Sequence, residues 1–197
     1  MKVWKGFQVV PQSTKTKEFK RWFDGSKITN KEWNPLIMYH WTPNKDVNIF
    51  DKSKIWESTD SWMFWRWFYF TSDKKRAESY TKRKDLVWEL KEVYLDVKHP
   101  FVINNQNDVD KFNKIYLKYS ENVLEDYFKN WRKWSLEKMY AEAYEKWTKD
   151  LIAAWYDWVI DNIWWDFNQV IVFEPNQIKS ATKNAWTFDK LNPDIYK

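Results

Sequence analysis

The feature that most constrains the fold of this chain is its near absence of glycine. Gly6 and Gly25 are the only two in 197 residues, where ordinary usage would supply about fourteen. Tryptophan occurs 17 times. Turns and close backbone approaches need positive φ angles, which glycine adopts freely and a bulky side chain adopts at a cost. The composition therefore suggests that most glycines have been exchanged for tryptophan.

Composition also excludes several classes of protein. A mean hydropathy of -0.82, 31% charged residues and no uncharged apolar run of about 18 residues argue against a membrane protein. The absence of cysteine excludes disulfides and suits a cytoplasmic setting, and no signal peptide is recognisable. With only His40 and His99 available, no metal site is predicted. The dense basic run at 74–84 is more simply a solvated face than a nucleic-acid contact.

Hydrophobic periodicity predicts a single α+β domain spanning residues 1–197. Apolar runs of strand length occur at 36–41, 67–71 and 170–173, and residues 86–103 contain a β-rich stretch that is predicted to stop at His99-Pro100. Helices are predicted at 14–23, with Thr16 as a cap, and after Ser72. Helical stripes predict a helical insert over roughly residues 107–154. The segment from 174 onwards is predicted to be a polar, extended tail.

Three blocks occur in an order characteristic of a known family: FKRWFDGSKITNKEWNPLIMYHWT (19–42), WRWFYFTSDKKRAESY (65–80) and VIVFEPNQIKSATKNAWTFDKLNPDI (170–195). Together they resemble the ADP-ribosyltransferase-like domain of phage and mobile-element polyvalent proteins, over most of residues 16–195. The chain is also similar to diphtheria toxin and the poly(ADP-ribose) polymerases. Those share a Y-H-G-T or H-G block and two tyrosines eleven residues apart, here Tyr69 and Tyr80. The resemblance implies split antiparallel sheets around a cleft for NAD+, with a helical insertion.

Tryptophan repeatedly occupies the positions at which this family has glycine. These positions are Trp33, Trp41, Trp65, Trp67, Trp155, Trp158 and Trp186, with Trp62 as a further candidate. Trp22 is the counterexample, since the family has tryptophan there too. We therefore predict that Trp22 is buried, whereas Trp33, Trp155 and Trp186 lie in turns or with little packing. We hypothesise that the gene comes from an organism or phage that reads UGA as glycine and was translated with a code in which UGA is tryptophan. The alternative is a protein that is truly rich in tryptophan.

The resemblance implies a role for each residue of the motifs. His40 would hydrogen-bond the adenosine ribose, while the backbone at Trp41, followed by Thr42, would contact the nicotinamide amide. Tyr69 and Tyr80 would bracket the nicotinamide ring, since aromatic faces hold a flat cationic ring well. Thr71, at the end of the same block, is included among the NAD-binding residues.

Gln169 departs from the family pattern. The polymerases and the toxin carry a glutamate at this position, whose charge stabilises the ribosyl cation left when nicotinamide departs. Glutamine can hydrogen-bond a ribose hydroxyl but supplies no charge. Either Asp166 or Glu174 substitutes for it, or the protein is slow or merely binds NAD+. Asp157 and Asp161 are further candidates, although solvated turn carboxylates are their simpler interpretation.

The resulting prediction is a phage- or mobile-element-encoded, NAD+-dependent ADP-ribosyltransferase with His40, Tyr69 and Gln169 as its catalytic set. Its acceptor would be a host macromolecule, most simply a protein. The enzyme would act in the host cytoplasm and would not associate with a membrane. A module that binds NAD+ or ADP-ribose without catalysis is the alternative. If the tryptophans are real, a third possibility is a protein that binds sugars or nucleic acids by stacking on exposed indoles.

Overall fold

A computed structural model describes residues 12–42, 46–54, 68–80, 89–112, 148–161 and 169–197, together with 114, 125, 129, 145 and 146. Seven strands are described: β1 (Met38–Thr42), β2 (Phe68–Thr71), β3 (Glu89–Leu95), β4 (Pro100–Ile103), β5 (Trp158–Asp161), β6 (Gln169–Val172) and β7 (Ile178–Ser180). Two α-helices are α1 (Lys17–Phe23) and α2 (Lys74–Tyr80). Short 3-10 helices cover Gln12–Lys15, Lys52–Lys54 and Pro175–Gln177.

The described strands form one sheet in the order β4-β5-β6-β2-β1-β3-β7. All neighbouring pairs are antiparallel except β4 and β5, which are parallel. The expected split into two sheets is therefore not seen among these strands. The reason is the full pairing of β2 with β6, which joins the two halves by hydrogen bonds.

Helix α1 forms as the sequence predicts. The Thr16 side chain caps it by accepting a hydrogen bond from the Phe19 N–H at 3.2 Å. Its apolar face packs against Tyr94 and Phe188 through Phe19, Trp22 and Phe23. Trp22 is 1% exposed, which confirms the prediction that this tryptophan is buried.

Two local predictions need correction. Helix α2 is capped by Asp73 rather than Ser72, because the Asp73 carboxylate accepts from the Arg76 N–H at 3.1 Å. The strand predicted to stop at His99-Pro100 ends earlier, at Leu95, and Pro100 instead begins β4, an edge strand of the described sheet, where proline is tolerated as a first residue.

The C-terminal segment is more structured than the predicted extended tail. It contributes β7, and the fully buried Lys179 donates to the backbone carbonyls of Asn192 at 2.7 Å and Asp194 at 2.9 Å. Burial lowers the pKa of Lys179 to about 8. Lys179 thus holds the C-terminal segment in place by hydrogen bonds, a contact that hydrophobic periodicity does not predict.

The insert lies between β4 and β5. Residues 106–112 and 148–153 at its two ends are helical, while most of the predicted span 107–154 lies outside the described residues. No helix in the described part of the chain is long and apolar enough to cross a membrane.

The two faces of the sheet carry different cores. The face that we call the His40 face bears a core that includes Met38, Phe70, Val93 and Val170. The opposite Tyr69 face is defined by two cross-strand rows, since residues directly opposite one another share a face. These rows are Glu92, Tyr39, Thr71, Gln169 and Asp161, and beside them Leu90, Trp41, Tyr69, Ile171 and Val159.

Three tryptophans adopt the left-handed backbone conformation that favours glycine. Trp33, Trp155 and Trp186 have φ angles of 62°, 69° and 68° and are 82%, 80% and 52% exposed. Each was predicted to lie in a turn or with little packing, and each does. Trp62, Trp65 and Trp67 lie outside the described residues.

Trp155 gives the clearest case. Its N–H donates to the Ile152 carbonyl and the Tyr156 N–H donates to the Leu151 carbonyl, both at 2.9 Å. This pair of bonds is the Schellman arrangement that ends a helix, and its left-handed residue is usually glycine. A tryptophan here carries backbone strain without compensating burial.

We expect the substitutions Trp33→Gly, Trp155→Gly and Trp186→Gly each to raise the free energy of unfolding by about 1 kcal/mol. The reason is relief of the left-handed strain, which costs a non-glycine residue about 1–2 kcal/mol. Chemical denaturation of each variant measures the change.

The matched control is Leu191→Gly, because Leu191 is 82% exposed and is not among the positive-φ residues. That substitution should leave stability unchanged or lower it by up to about 1 kcal/mol. Equal effects at Leu191 and at the three tryptophans would contradict the strain argument.

Candidate functional site

Three adjacent strands bring most of the predicted site residues together. Thr71 of β2 lies directly opposite Gln169 of β6, and Tyr69 lies opposite Ile171. Tyr69, Thr71 and Gln169 therefore share the Tyr69 face within two residues of one another along the strands. Thr71 and Gln169 are each 7% exposed, so both polar groups are largely shielded from bulk water.

Tyr69 sits at the edge of a hydrophobic core. It is partly buried and packs against the cluster that includes Val159, Ile171, Phe112 and Leu151. This cluster fixes the position of β2 relative to the helical residues at the two ends of the insert. Tyr69 is thus held by packing and, as a whole residue, is only partly buried.

Helix α2 follows β2 at once and returns over the same face. The Thr71 hydroxyl accepts from the Asp73 N–H at 3.1 Å, which sets the turn. The Lys74 ammonium then lies 5.7 Å from the centre of the Tyr39 ring and 2.9 Å from a Glu92 carboxylate oxygen. Tyr80 ends α2, and its side chain lies outside what the structure describes.

The ring of His40 lies on the opposite face from Tyr69. It packs against Phe50 and Phe70, with ring centres 4.9 Å and 5.3 Å apart. Its Nδ1 is 2.8 Å from the backbone carbonyl oxygen of Tyr69. The imidazole therefore contacts the strand that carries Tyr69 without sharing a face with its ring.

The electrostatics keep His40 neutral. Burial lowers the pKa of His40 to about 4, and the nearby Lys91 ammonium lowers it further. Since a carbonyl can only accept, Nδ1 must carry the proton in this neutral ring, and Nε2 is left as an acceptor. An acceptor nitrogen of this kind can receive a hydrogen bond from a hydroxyl group.

Trp41 and Thr42 complete β1. Trp41 is partly buried, lies opposite Leu90 and falls on the Tyr69 face. Its φ angle is not positive, so backbone strain gives no argument for glycine at this position. Thr42 is 7% exposed and lies opposite Glu89 on the His40 face.

The structure separates the carboxylates proposed as substitutes at position 169. Glu174 lies beyond the far end of β6, half exposed and 2.6 Å from the Lys52 ammonium. Asp157 is no solvated turn residue, because its two oxygens accept from the N–H groups of Lys98 at 2.9 Å and His99 at 2.8 Å. Asp166 lies outside the described residues.

Asp161 does not lie in a turn, as its simpler interpretation as a solvated turn carboxylate assumed. It is the last residue of β5 rather than part of a turn, and it lies directly opposite Gln169. The hairpin register thus brings an acidic residue to the same row as the glutamine.

Sequence reasoning missed Lys91. This lysine lies opposite His40, is 5% exposed and contacts a Glu89 carboxylate oxygen at 2.8 Å. A strand predicted from residue 89 onwards would put Lys91 on the core face, because it lies two residues before Val93 and four before Leu95. The prediction concentrated on the apolar half of that strand.

Comparison with known proteins now settles the family. Residues 30–188 match the model for ADP-ribosyltransferase in polyvalent proteins. The chain belongs to this family. No curated protein and no solved structure matches the chain. Membership in the ADP-ribosyltransferase family implies, at a coarse level, NAD+-dependent transfer of ADP-ribose. The matched residues include β1, β2 and β6 in full, so the strands that carry the candidate site lie inside the family domain.

The neutral His40 should make stability depend on pH. Between about pH 6.5 and 4 the unfolded chain binds a proton at this histidine and the folded protein does not, so the free energy of unfolding falls as pH falls. The loss is up to about 3 kcal/mol. We expect the variant His40→Asn, whose amide can replace the Nδ1 donor, to lack this loss.

Denaturation of both proteins across this pH range measures the difference. Burial raises the pKa of Asp96 to about 6, which acts in the opposite direction. That contribution is common to both proteins and cancels in the comparison. Parallel pH profiles for the two proteins would contradict the assignment of a neutral, partly buried His40.

Proposed function

We propose that this chain is an NAD+-dependent ADP-ribosyltransferase, encoded by a phage or mobile element, that modifies a host macromolecule in the host cytoplasm. The acceptor is most simply a protein. The single observation that carries the proposal is that Tyr69, Thr71 and Gln169 lie close together on one face of the sheet, inside the family domain. The hydrogen bond between His40 and the backbone carbonyl of Tyr69 in β2 supports it.

Each residue has a physical role in this proposal. Tyr69 and Tyr80 hold the nicotinamide ring between aromatic faces, worth about 0.5–2 kcal/mol for each contact. His40 lies on the other face of the sheet and positions β2 through its Nδ1–H bond to the Tyr69 carbonyl. The backbone of residue 41 holds the nicotinamide amide, and Thr42, on the His40 face, ends β1 beside it. Gln169 hydrogen-bonds the ribose next to the reacting carbon.

The reaction is a displacement at the ribosyl carbon C1′. Its bond to the nicotinamide nitrogen breaks, and nicotinamide leaves with the bonding electron pair. A nucleophilic atom of the acceptor forms the new bond to C1′ and gives up its proton. Water in place of the acceptor gives free ADP-ribose, nicotinamide and a proton.

We expect the protein to release nicotinamide from NAD+ and to transfer labelled ADP-ribose to a component of host lysate. The variant Tyr69→Leu should lower kcat/KM for nicotinamide release by about tenfold, as one stacking contact is lost. Tyr156→Leu is the matched control, because Tyr156 packs at the edge of the same core against Phe101. Chromatographic measurement of nicotinamide compares the three proteins.

The same experiment decides between the two candidate functions. The uncharged Gln169 is the observation that favours a module that only binds NAD+. Binding of NAD+ with neither nicotinamide release nor transferred label would reject the transferase and leave the binding module. Equal losses in Tyr69→Leu and Tyr156→Leu would remove Tyr69 from the site.

We also propose that the tryptophans at family glycine positions are encoded by UGA and are glycine in the organism of origin. The left-handed backbone at Trp33, Trp155 and Trp186 supports this, together with their exposure. At residue 41 the argument is different, since the strand is regular there. A glycine would allow the backbone to approach a ligand that an indole obstructs.

The variant Trp41→Gly should therefore bind NAD+ at least about tenfold more tightly than the chain with tryptophan. Equilibrium binding of NAD+ measures this, and Trp41→Ala should fall between the two, because its side chain obstructs less. Sequencing the gene gives an independent check. UGG codons at Trp33, Trp41, Trp67, Trp155 and Trp158 would refute the proposal.

A further inference from the structure

The unexplained feature of the candidate site is its lack of a charged group at residue 169. The strand register supplies one nearby. β5 and β6 pair antiparallel over four residues, and Asp161 is the partner of Gln169. Directly opposite residues share a face, with their Cβ atoms about 4.5–5.5 Å apart. The backbone register thus places Asp161 in the same row as Gln169 and Thr71, while its side chain lies outside what the structure describes.

The position of Asp161 is fixed by its neighbours in β5. Val159, two residues earlier on the same face, is 1% exposed and packs with Ile171, its partner in β6. A slip of one residue would move Val159 out of this core and Asp161 off the row. The buried valine therefore holds the carboxylate-bearing residue in register with Gln169.

Three other described carboxylates near these strands are committed elsewhere. Asp157 is held by the backbone N–H groups of Lys98 and His99. Glu174 is five residues along the chain from Gln169 and pairs with Lys52. Glu92 shares the row, but two strands separate it from Gln169, and it pairs with Lys74.

We propose that Asp161 on β5 is the catalytic carboxylate of this protein. It supplies the negative charge that stabilises the ribosyl cation, which the uncharged Gln169 on β6 cannot supply. The inference rests on the proposed transferase function. Gln169 then serves as a neutral hydrogen-bonding partner of the ribose. The charge and the hydrogen bond that a single glutamate would supply together are divided here between two strands.

The step that Asp161 assists is balanced in atoms and charge. As the bond from C1′ to the nicotinamide nitrogen breaks, nicotinamide takes the electron pair and positive charge develops on the ribosyl ring. The Asp161 carboxylate stabilises that charge. It then accepts the proton that the incoming acceptor, or water, loses on bonding to C1′, and passes it to solvent.

The test measures nicotinamide release and NAD+ binding by the full chain. Asp161→Asn should lower kcat at least about 100-fold, as loss of one preorganised charged group does, and change the dissociation constant for NAD+ by less than about threefold. Glu174→Gln is the control, a carboxylate removed beyond the far end of β6, and should retain wild-type kcat.

A second variant protects the test against a simple loss of folding. In Asp161→Asn/Gln169→Glu the carboxylate moves to the opposite strand in the same row, and kcat should recover at least about tenfold over Asp161→Asn alone. Retained NAD+ binding and an unchanged thermal midpoint show that each variant is folded.

The outcomes separate the two proposals. A wild-type protein that releases no nicotinamide contradicts both the transferase and the role of Asp161. A wild-type protein that is active and unaffected by Asp161→Asn contradicts only the role of Asp161. So does an Asp161→Asn protein that loses activity without recovery in the double variant.

Discussion

The pairing of β2 with β6 is the interaction on which the rest of the structure depends. It joins β4-β5-β6 to β2-β1-β3-β7 and sets the relative positions of Tyr69, Thr71 and Gln169. Its register is fixed from the other face, where Phe70 and Val170 are directly opposite and both buried. A slip by one residue would exchange the two faces of a strand and bury the site's polar groups in the core.

The two faces are coupled through His40. Its ring belongs to the core of one face, yet its Nδ1–H is directed to the carbonyl of Tyr69, whose ring belongs to the other. Because the low pKa keeps the ring neutral, this bond persists throughout the physiological pH range. Lys91, paired with Glu89, adds a charge beside the ring that further opposes its protonation. The histidine thus positions β2 from the opposite face of the sheet.

Sequence patterns predicted the parts of the fold that depend on local chemistry. The Thr16 cap, the strands around His40 and Tyr69, and the buried strand before Phe173 follow from periodicity and capping. Relations between distant segments did not follow. The sequence contains no signal for the opposition of Asp161 and Gln169, because register depends on which apolar side chains, such as Val159 and Ile171, meet in the core. Nor does spacing reveal that Lys179 binds the C-terminal carbonyls.

The glycine deficit affects the fold and the site by different physical routes. At Trp33, Trp155 and Trp186 the backbone itself demands a left-handed residue, and strain of about 1–2 kcal/mol at each position is a large part of a typical stability of about 5–15 kcal/mol. At residue 41 the strand is regular, so an indole there adds no backbone strain and acts only on what can approach β1. Restoring glycine in the turns should therefore change stability alone, whereas restoring it in β1 should change binding.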